Sequence, residues 1–306
     1  MKLFGAAVAM ALGLAGMLRA ADAPAPAEKP KPFHERLAEA GVKLTAGPAK
    51  VALGKVAELK VPAGAHFVGP DSIKLYYQLT QNQPNGNEVG VLLAGSYSLY
   101  FDYDDSGYVK DDEKKELDAD KLMKAMTANE DEVNEERKRR GWDEMKIKGW
   151  ATKPYYDEKT HNLKWAINLA TSQDKFQELF INESIRLLGR GGVMNVTLVS
   201  GGGAAFKAAE IEADKVLAAN FAYIDGQKYS EFKQGDKVAA YGLSALVLGG
   251  GAFAAAKLGW LASLGVWLGK AWKAVVAGLI AVGAGIKKLF GKVTGAKADD
   301  AKPPMA

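Results

Sequence analysis

The stretch EVGVLLAGSYSLYFDY, residues 88–103, decides the fold class of this chain. It holds two candidate strands, residues 88–93 and 97–103, whose short connection predicts an antiparallel pair. In the second strand, Tyr97, Leu99, Phe101 and Tyr103 occupy alternate positions, which places these four side chains on one face of a sheet. The stretch therefore predicts part of an antiparallel sheet with an apolar face.

Further strand and helix patterns extend this sheet in both directions along the chain. Alternating or apolar runs predict strands near residues 51–53, 56–61, 146–151, 162–170, 176–188, 193–199 and 221–224. Helical spacing and end signals predict helices at residues 33–40, 71–79, 111–140 and 204–218. The expected fold is α+β, a mainly antiparallel sheet domain over residues 42–235 with segregated helices.

The start of the chain has the pattern of a secretory signal peptide, residues 1–20. Lys2 precedes an apolar run, residues 3–18, and Ala20 offers a small residue for cleavage. Because Arg19 lies close to that position, an uncleaved N-terminal anchor is the alternative. Residues 21–41 then form a Pro/Ala/Lys linker and a short helix.

An apolar region, residues 236–290, follows the domain and predicts C-terminal transmembrane helices. Residues 238–256 carry no charge and are long enough to cross a bilayer core of ~30 Å at ~1.5 Å per residue. A second segment, residues 264–286, would complete a helical hairpin, although Lys270 and Lys273 lie within it. A single span followed by an interfacial helix is the alternative, and residues 291–306 form a polar tail.

Small residues recur every three or four positions in this apolar region and predict close helix packing in lipid. The first such stripe comprises Gly242, Ala245, Gly249, Ala252 and Ala256. The partner of this stripe would be the second helix of the hairpin or a helix of another chain. The expected partners are therefore the lipid bilayer and either a protein partner or a second copy of the chain.

Composition excludes several classes of site. The chain has no cysteine, so disulfides and thiolate metal sites are excluded, and its three histidines are scattered. The net charge is only +4, and the basic run near residues 137–140 is interleaved with acids. Such a run is typical of a solvated helix face, so no nucleic-acid partner is expected.

The sharpest chemical pattern is DYDDSGYVKDDE, residues 102–113, which fits a twelve-residue calcium loop. Its candidate ligands are Asp102, Asp104, Ser106, Tyr108 and Glu113. A strand is predicted before this segment, where the calcium motif has a helix. The favoured interpretation is consequently an acidic connection in which Asp111 or Asp112 caps the next helix, and calcium binding is the alternative.

A second candidate site rests on two arginines. Arg186 and Arg190 are an even number of residues apart, so both would project from one sheet face if the strand stays regular. They would then contact an anion or a partner, although exposed arginines more often pair with acids. An aromatic group around Trp150 and Trp165 is similarly interpreted as packing, with a ligand groove as the alternative.

Several strings occur in one order and together carry a resemblance. They are GYV (107–109), NEERKRRGW (134–142), GWATKPYYDEKTHNLKWA (149–166), IRLLGRGGV (185–193) and DKVAAYGLSALV (236–247). Over residues 50–289 the chain resembles an uncharacterised bacterial membrane-anchored protein family, a family of unknown function. The resemblance implies an extracytoplasmic domain with C-terminal membrane segments, and it implies no activity.

No Ser/His/acid order, HExxH or GxSxG pattern occurs in the sequence, so a non-enzymatic protein is expected. The leading hypothesis is an envelope protein at the bacterial inner membrane whose periplasmic domain acts through protein contacts or has a structural role. A ligand-sensing or calcium-sensing module is the first alternative. A hydrolase or transferase whose site is assembled only by folding is the second.

Overall fold

The computed structural model describes residues 31–115, 117–128 and 130–249. The predicted signal peptide and most of the predicted membrane region, residues 250–290, lie outside these ranges, as does the polar tail. Within them the chain forms the strands β1 (Leu44–Ala46), β2 (Ala49–Leu53), β3 (Ala57–Val61), β4 (His66–Val68), β5 (Glu88–Ala94), β6 (Tyr97–Asp104), β7 (Met145–Asp157), β8 (Asn162–Thr171), β9 (Phe180–Leu188), β10 (Val193–Gly201) and β11 (Phe221–Tyr223).

The helices are segregated from the strands, as predicted. They are α1 (Phe33–Glu39), α2 (Pro70–Leu79), α3 (Ala119–Thr127), α4 (Glu130–Arg139), α5 (Ala204–Asn220) and α6 (Leu243–Val247). The predicted helices near residues 33–40, 71–79 and 204–218 are confirmed within one or two residues. The helix α1 ends just before Gly41, whose φ of +92° suits glycine and not a residue with a side chain.

The main sheet of the described residues has eight strands in the order β1-β4-β5-β6-β10-β9-β8-β7. Every neighbouring pair in it is antiparallel. A second, three-stranded sheet has the order β11-β3-β2. The expectation of a mainly antiparallel α+β domain is therefore confirmed.

The alternation along β6 assigns the two faces of the main sheet. Tyr97, Leu99 and Phe101 point to one face, where they join the core beneath α5 and the small sheet; this is the α5 face. Helix α5 contributes its buried residues Phe206, Ala209, Ala213 and Leu217, spaced at three and four positions. Tyr100 and Asp102 point to the opposite face, named the α2 face.

The α2 face is covered at two separate places. Near β5 and β6 it is covered by α1 and α2, and a buried cluster there contains Tyr76, Tyr77 and Tyr100. Near β8 it is covered by α3 and α6, where Leu122 and Leu246 pack with other buried apolar residues, including Leu163 and Trp165. The middle of this face, on β10 and β9, lies between the two apolar clusters.

The long helix predicted over residues 111–140 is wrong. The structure has two helices, and the first begins only after Asp118, whose carboxylate accepts a hydrogen bond of 3.0 Å from the backbone N–H of Lys121. This side-chain cap satisfies a free N–H group at a helix start, so it stabilises a new N-terminus inside the predicted segment. The strand predicted from residue 176 starts later, at Phe180, because Lys175 and Phe176 both adopt positive φ angles.

The predicted start of the first membrane helix, at Val238, is also wrong over the described residues. The backbone of this segment pairs with Tyr108: Tyr108 N donates to Lys237 O at 2.8 Å, and Ala239 N donates to Tyr108 O at 2.9 Å. A helix forms only at Leu243–Val247, and its apolar residues are buried in the core of the domain. Within the part of the chain that is described, no helix combines the length and apolar character needed to cross a membrane.

Candidate functional site

The five residues predicted to bind calcium are not brought together. Asp102 and Asp104 lie in the extended strand β6, so the first three residues of the predicted loop belong to the sheet. Asp104 Oδ2 accepts a hydrogen bond of 2.6 Å from the Tyr241 hydroxyl, whereas Glu113 Oε2 accepts one of 3.3 Å from the backbone N–H of Ser244. Among the described residues no three acidic or histidine side chains are grouped to hold a metal ion.

The two predicted arginines do not share a strand. Strand β9 ends at Leu188, so Arg190 lies in the following turn, while Arg186 remains in the sheet. Arg190 forms a bidentate pair with Asp236, with Nε to Oδ2 and Nη2 to Oδ1 both at 2.7 Å. These bonds lower the pKa of Asp236 to about 2. Arg190 therefore has a structural role in holding Asp236 and does not form a binding site with Arg186.

The middle of the α2 face carries a row of polar residues across three adjacent strands. Asp102 on β6 lies opposite Asn195 on β10, and Asn195 lies opposite Arg186 on β9. One step along, Thr197 on β10 lies opposite Ser184 on β9. Since opposite residues of an antiparallel pair project to the same face, these five residues form one surface, named the polar strip.

The polar strip is partly open to solvent. Asp102 and Thr197 are buried, whereas Ser184, Arg186 and Asn195 are each partly exposed. The apolar clusters under α2 and α6 flank it on either side. Burying polar groups between two apolar clusters costs free energy unless they are hydrogen-bonded, so apolar packing does not explain the residues of the strip.

Asp102 is the most buried charged group of the strip. Its residue is 3 % exposed, and its Oδ1 atom has no hydrogen-bond partner among the described residues. Burial raises the pKa of Asp102 to about 7, and the nearby charge of Glu88 acts in the same direction. Arg186 and a hydrogen bond from Asn85 oppose that rise without cancelling it.

Arg186 contacts an aromatic ring, and the charges of Asp102 and Asp104 also act on it. Its Cζ atom lies 4.5 Å from the ring centroid of Trp165, a cation–π contact. Its Nη1 atom is buried and has no hydrogen-bond partner in the described part of the chain. Burial lowers the pKa of Arg186 to about 10, so the group stays charged at neutral pH.

Tyrosine hydroxyls line the strip on the side of α2. The hydroxyl oxygens of Tyr76 and Tyr100 lie 3.0 Å apart and form a hydrogen bond. The Tyr77 hydroxyl is buried and has no such partner among the described residues. Burial raises the pKa of Tyr77 above its ordinary value, and the charge of Asp102 adds to the rise, so Tyr77 remains a neutral hydrogen-bonding group.

An ionic group with two buried members, Lys164 and Glu183, lies on the opposite, α5 face. Lys164 Nζ is 2.7 Å from Asp214 Oδ1 and 3.3 Å from Glu183 Oε1. Burial acts to lower the pKa of Lys164, yet the two carboxylates outweigh it and the pKa is raised. Burial raises the pKa of Glu183 to about 7. This group joins β8 and β9 to α5, which is a structural role.

Sequence reasoning named Asp102 and Arg186, although for different reasons, and missed Ser184, Asn195 and Thr197. The signal that could have found them is a pair of polar residues two positions apart in a strand, a spacing that places both on one face. Ser184 and Arg186 have this spacing in β9, and Asn195 and Thr197 have it in β10. In a strand covered on both faces, such a pair marks a polar patch within the core layer.

Two solved structures that resemble this chain are distant likenesses. A cyanobacterial PsbP protein from Synechocystis is 12% identical, with 60% of this chain and 93% of that chain covered at a TM-score of 0.32. The Ran-binding protein Mog1p of Saccharomyces cerevisiae is also 12% identical, with 62% of this chain and all of that chain covered (100%) at a TM-score of 0.32.

No curated protein matches this sequence. A family model, however, matches residues 45–283, which is most of the chain, and the match begins at β1 and runs past the end of α6. The chain belongs to the family described as "Protein of unknown function (DUF2167)".

Proposed function

We propose that this chain is a membrane-anchored envelope protein whose domain binds a partner through the polar strip and does not transform it. The observation that carries the binding part is the pair of unpartnered buried atoms, Asp102 Oδ1 and Arg186 Nη1, on one partly open surface. Native proteins satisfy nearly all buried polar atoms. One unpartnered atom on each of two charged side chains of the same surface is therefore best explained by a partner that satisfies both.

The anchoring part of the proposal rests on composition. Residues 3–18 have the apolar character of an export signal, and the sequence 250–289 is apolar with lysine as its only charged residue type. We place the anchor in this second region, after α6, because α6 contributes Leu243, Leu246 and Val247 to the core of the domain. The small-residue stripes of the region favour packing against another helix, from the same chain or a second copy.

Site-specific crosslinking in intact cells tests the binding function. A photoactivatable diazirine amino acid in place of Ser184 would lie on the strip, whereas the same group in place of Ile211 would lie on α5 and 56 % exposed. We expect a crosslinked product from position 184 only, and its loss when Arg186→Gln is added. Recovery of the lone chain from both positions would count against a protein partner at the strip.

A phosphatase reporter that is active only outside the cytoplasm tests the location. The reporter fused after Gly249 should be active when residues 2–20 are present. It should be inactive when residues 2–20 are deleted, because export would then fail. Membrane fractionation of the unfused chain completes the test. A chain that stays in the soluble fraction with residues 250–306 present would contradict the proposed anchor.

The placement of Asp102, a buried carboxyl opposite the partly exposed Asn195, favours a second candidate function, a hydrolase or transferase in which this carboxyl moves a proton. A carboxyl that titrates near pH 7 suits general acid–base chemistry. This candidate requires that the chain turn over an ester, amide or glycoside substrate. The turnover should be lost in the Asp102→Asn variant and retained in the Asp214→Asn variant. Equal turnover in both variants would remove Asp102 from any catalytic role.

A further inference from the structure

We infer that the polar strip binds a small zwitterionic molecule, with a carboxylate held by Arg186 and an ammonium group held by Asp102. This inference rests on the proposed binding function of the strip and names the chemical class of the ligand. The two charged groups lie on β6 and β9, the strands on either side of β10, so the pairing of the sheet sets their spacing.

The unpartnered atoms define what the ligand must supply. Arg186 Nη1 is a donor and requires an acceptor, and an anionic oxygen is the best match for a guanidinium. Asp102 Oδ1 is an acceptor when the carboxyl is ionised and requires a donor. A molecule with only one of these groups would satisfy one atom and leave the other buried and unpaired.

The register separates the two groups by a defined distance. Asp102 and Arg186 lie opposite the same residue, Asn195, from strands on either side of β10. Adjacent strands are ~4.8 Å apart, so the two Cα atoms are roughly 10 Å apart. The contact with Trp165, which lies on the far side of β9 from Asp102, draws the guanidinium toward β8.

The electrostatics of the strip favour a zwitterion over a multiply charged anion. Asp102 lies beside a second carboxylate, Glu88, on the adjacent strand β5. Phosphate or a dicarboxylate placed across the strip would meet one cation at one end and two acids at the other. A zwitterion meets a charge of opposite sign at each end.

The neutral polar residues between the ends suit the same ligand. Asn195 offers both an amide donor and an acceptor, and the hydroxyls of Ser184 and Thr197 can take either role. Asn195 and Ser184 are partly exposed, so a small molecule can reach the strip from solvent. Trp165 and Leu163 form an apolar surface beside the guanidinium.

Calorimetry on the full detergent-solubilised chain with a graded series of ω-amino acids tests the inference. The series runs from glycine to 6-aminohexanoate, and hexanoate and hexylamine are the single-ended controls. We expect one chain length to bind best, both controls to bind at least tenfold more weakly, and the best ligand to bind more tightly at pH 8 than at pH 6. That pH dependence follows from ionisation of Asp102 and should vanish in Asp102→Asn.

The variants separate ligand contact from a merely structural role. Arg186→Lys and Asp102→Asn should each weaken the best ligand at least tenfold, and Asp214→Asn, on the opposite face, should leave the affinity unchanged. If the Arg186→Lys variant does not fold, Asn195→Asp replaces it as the test. A carboxylate at this partly exposed position would compete with the ligand for Arg186. We again expect at least a tenfold loss.

The class of ligand is overturned if no member of the series binds better than the single-ended controls, or if Arg186→Lys, Asp102→Asn and Asn195→Asp all leave the affinity unchanged. A partner crosslinked from position 184 with no zwitterion binding would overturn the ligand class and leave the binding function standing. Absence of both the crosslink and the binding heat would overturn both proposals.

Discussion

Lys164 on β8 donates hydrogen bonds of 2.7 and 3.0 Å to the two carboxylate oxygens of Asp214 on α5. The lysine also lies 3.3 Å from Glu183 Oε1 on β9, and both of these sheet residues are buried. The ammonium group thus ties the helix to the sheet and at the same time neutralises a buried acid. Its removal would leave Glu183 without a partner in the core.

We expect Lys164→Met to lower the free energy of unfolding by about 3–5 kcal/mol, the usual cost of breaking a buried pair on one side. Urea denaturation followed by circular dichroism measures this change. Lys50→Met is the matched control, because the Lys50–Glu58 pair is exposed and should contribute at most about 1 kcal/mol. Equal effects of the two substitutions would show that burial of the pair is energetically unimportant.

The pH dependence of stability should report the polar strip. The pKa of Asp102 is about 7 in the folded chain against an ordinary 3.8. Because the folded pKa is the higher one, the stabilising contribution of this carboxyl is complete below about pH 4 and is lost as pH rises through about 7. The free energy of unfolding should therefore fall across this window, by up to about 4 kcal/mol from this group.

Asp102→Asn should reduce the decrease in the free energy of unfolding with pH, since an amide does not ionise. Glu183, whose pKa is raised to about 7 by burial, acts in the same direction, so part of the slope should remain. Thermal unfolding at a series of pH values between 4 and 8 measures both effects. An unchanged pH profile in Asp102→Asn would show that this carboxyl is not the group responsible.

Asn134 on α4 holds the start of β7 through two hydrogen bonds. Its Nδ2 donates to Met145 O at 2.7 Å, and Met145 N donates to its Oδ1 at 2.8 Å. Asn134→Ala should cost about 2–5 kcal/mol, because two buried backbone groups lose their partners at about 1–3 kcal/mol each.

Asn220→Ala is the comparison for this prediction. Asn220 Nδ2 donates one hydrogen bond, of 3.0 Å, to Val216 O of its own helix, and it is only partly buried. We expect about 1 kcal/mol or less there, measured by the same urea titrations. An Asn134→Ala variant as stable as Asn220→Ala would mean that water replaces the lost amide.

Gly90 on β5 gives Phe67 the space that it occupies in the core. A Cβ atom at Gly90 would lie 1.9 Å from Phe67 Cζ. Gly90→Ala should therefore destabilise the chain by about 1–3 kcal/mol through overpacking. Adding Phe67→Leu removes the clashing atom and should make the effect of Gly90→Ala smaller in a double-mutant cycle.

Gly201→Ala serves as the control for steric cost. A Cβ atom there would lie 3.5 Å from Ala205 Cβ, an ordinary contact. This substitution should change the melting temperature little. If Gly90→Ala alone lowers the melting temperature as little as Gly201→Ala does, the Phe67 ring moves aside easily. That result would contradict close packing of the core around this ring.

Local patterns in the sequence predicted most elements correctly. The two-residue period of β6 and the helical spacing of α5 depend on residues close together in the chain, so both were predictable. The long helix over residues 111–140 was not, because Asp118 caps a second start that helical periodicity does not show. The segment from Val238 looked like membrane sequence because composition alone cannot tell a buried helix such as α6 from a lipid-facing one.

The sequence by itself determined the α+β class, the strands and their apolar faces, and the membership of an uncharacterised family. Only the tertiary structure decided which strands are neighbours, and with them the polar strip. Asp102, Arg186 and Asn195 share one surface because β10 pairs with both β6 and β9. The pairing of β6 with β10 joins segments far apart in the chain, and it depends on how the whole core packs, which no local pattern encodes.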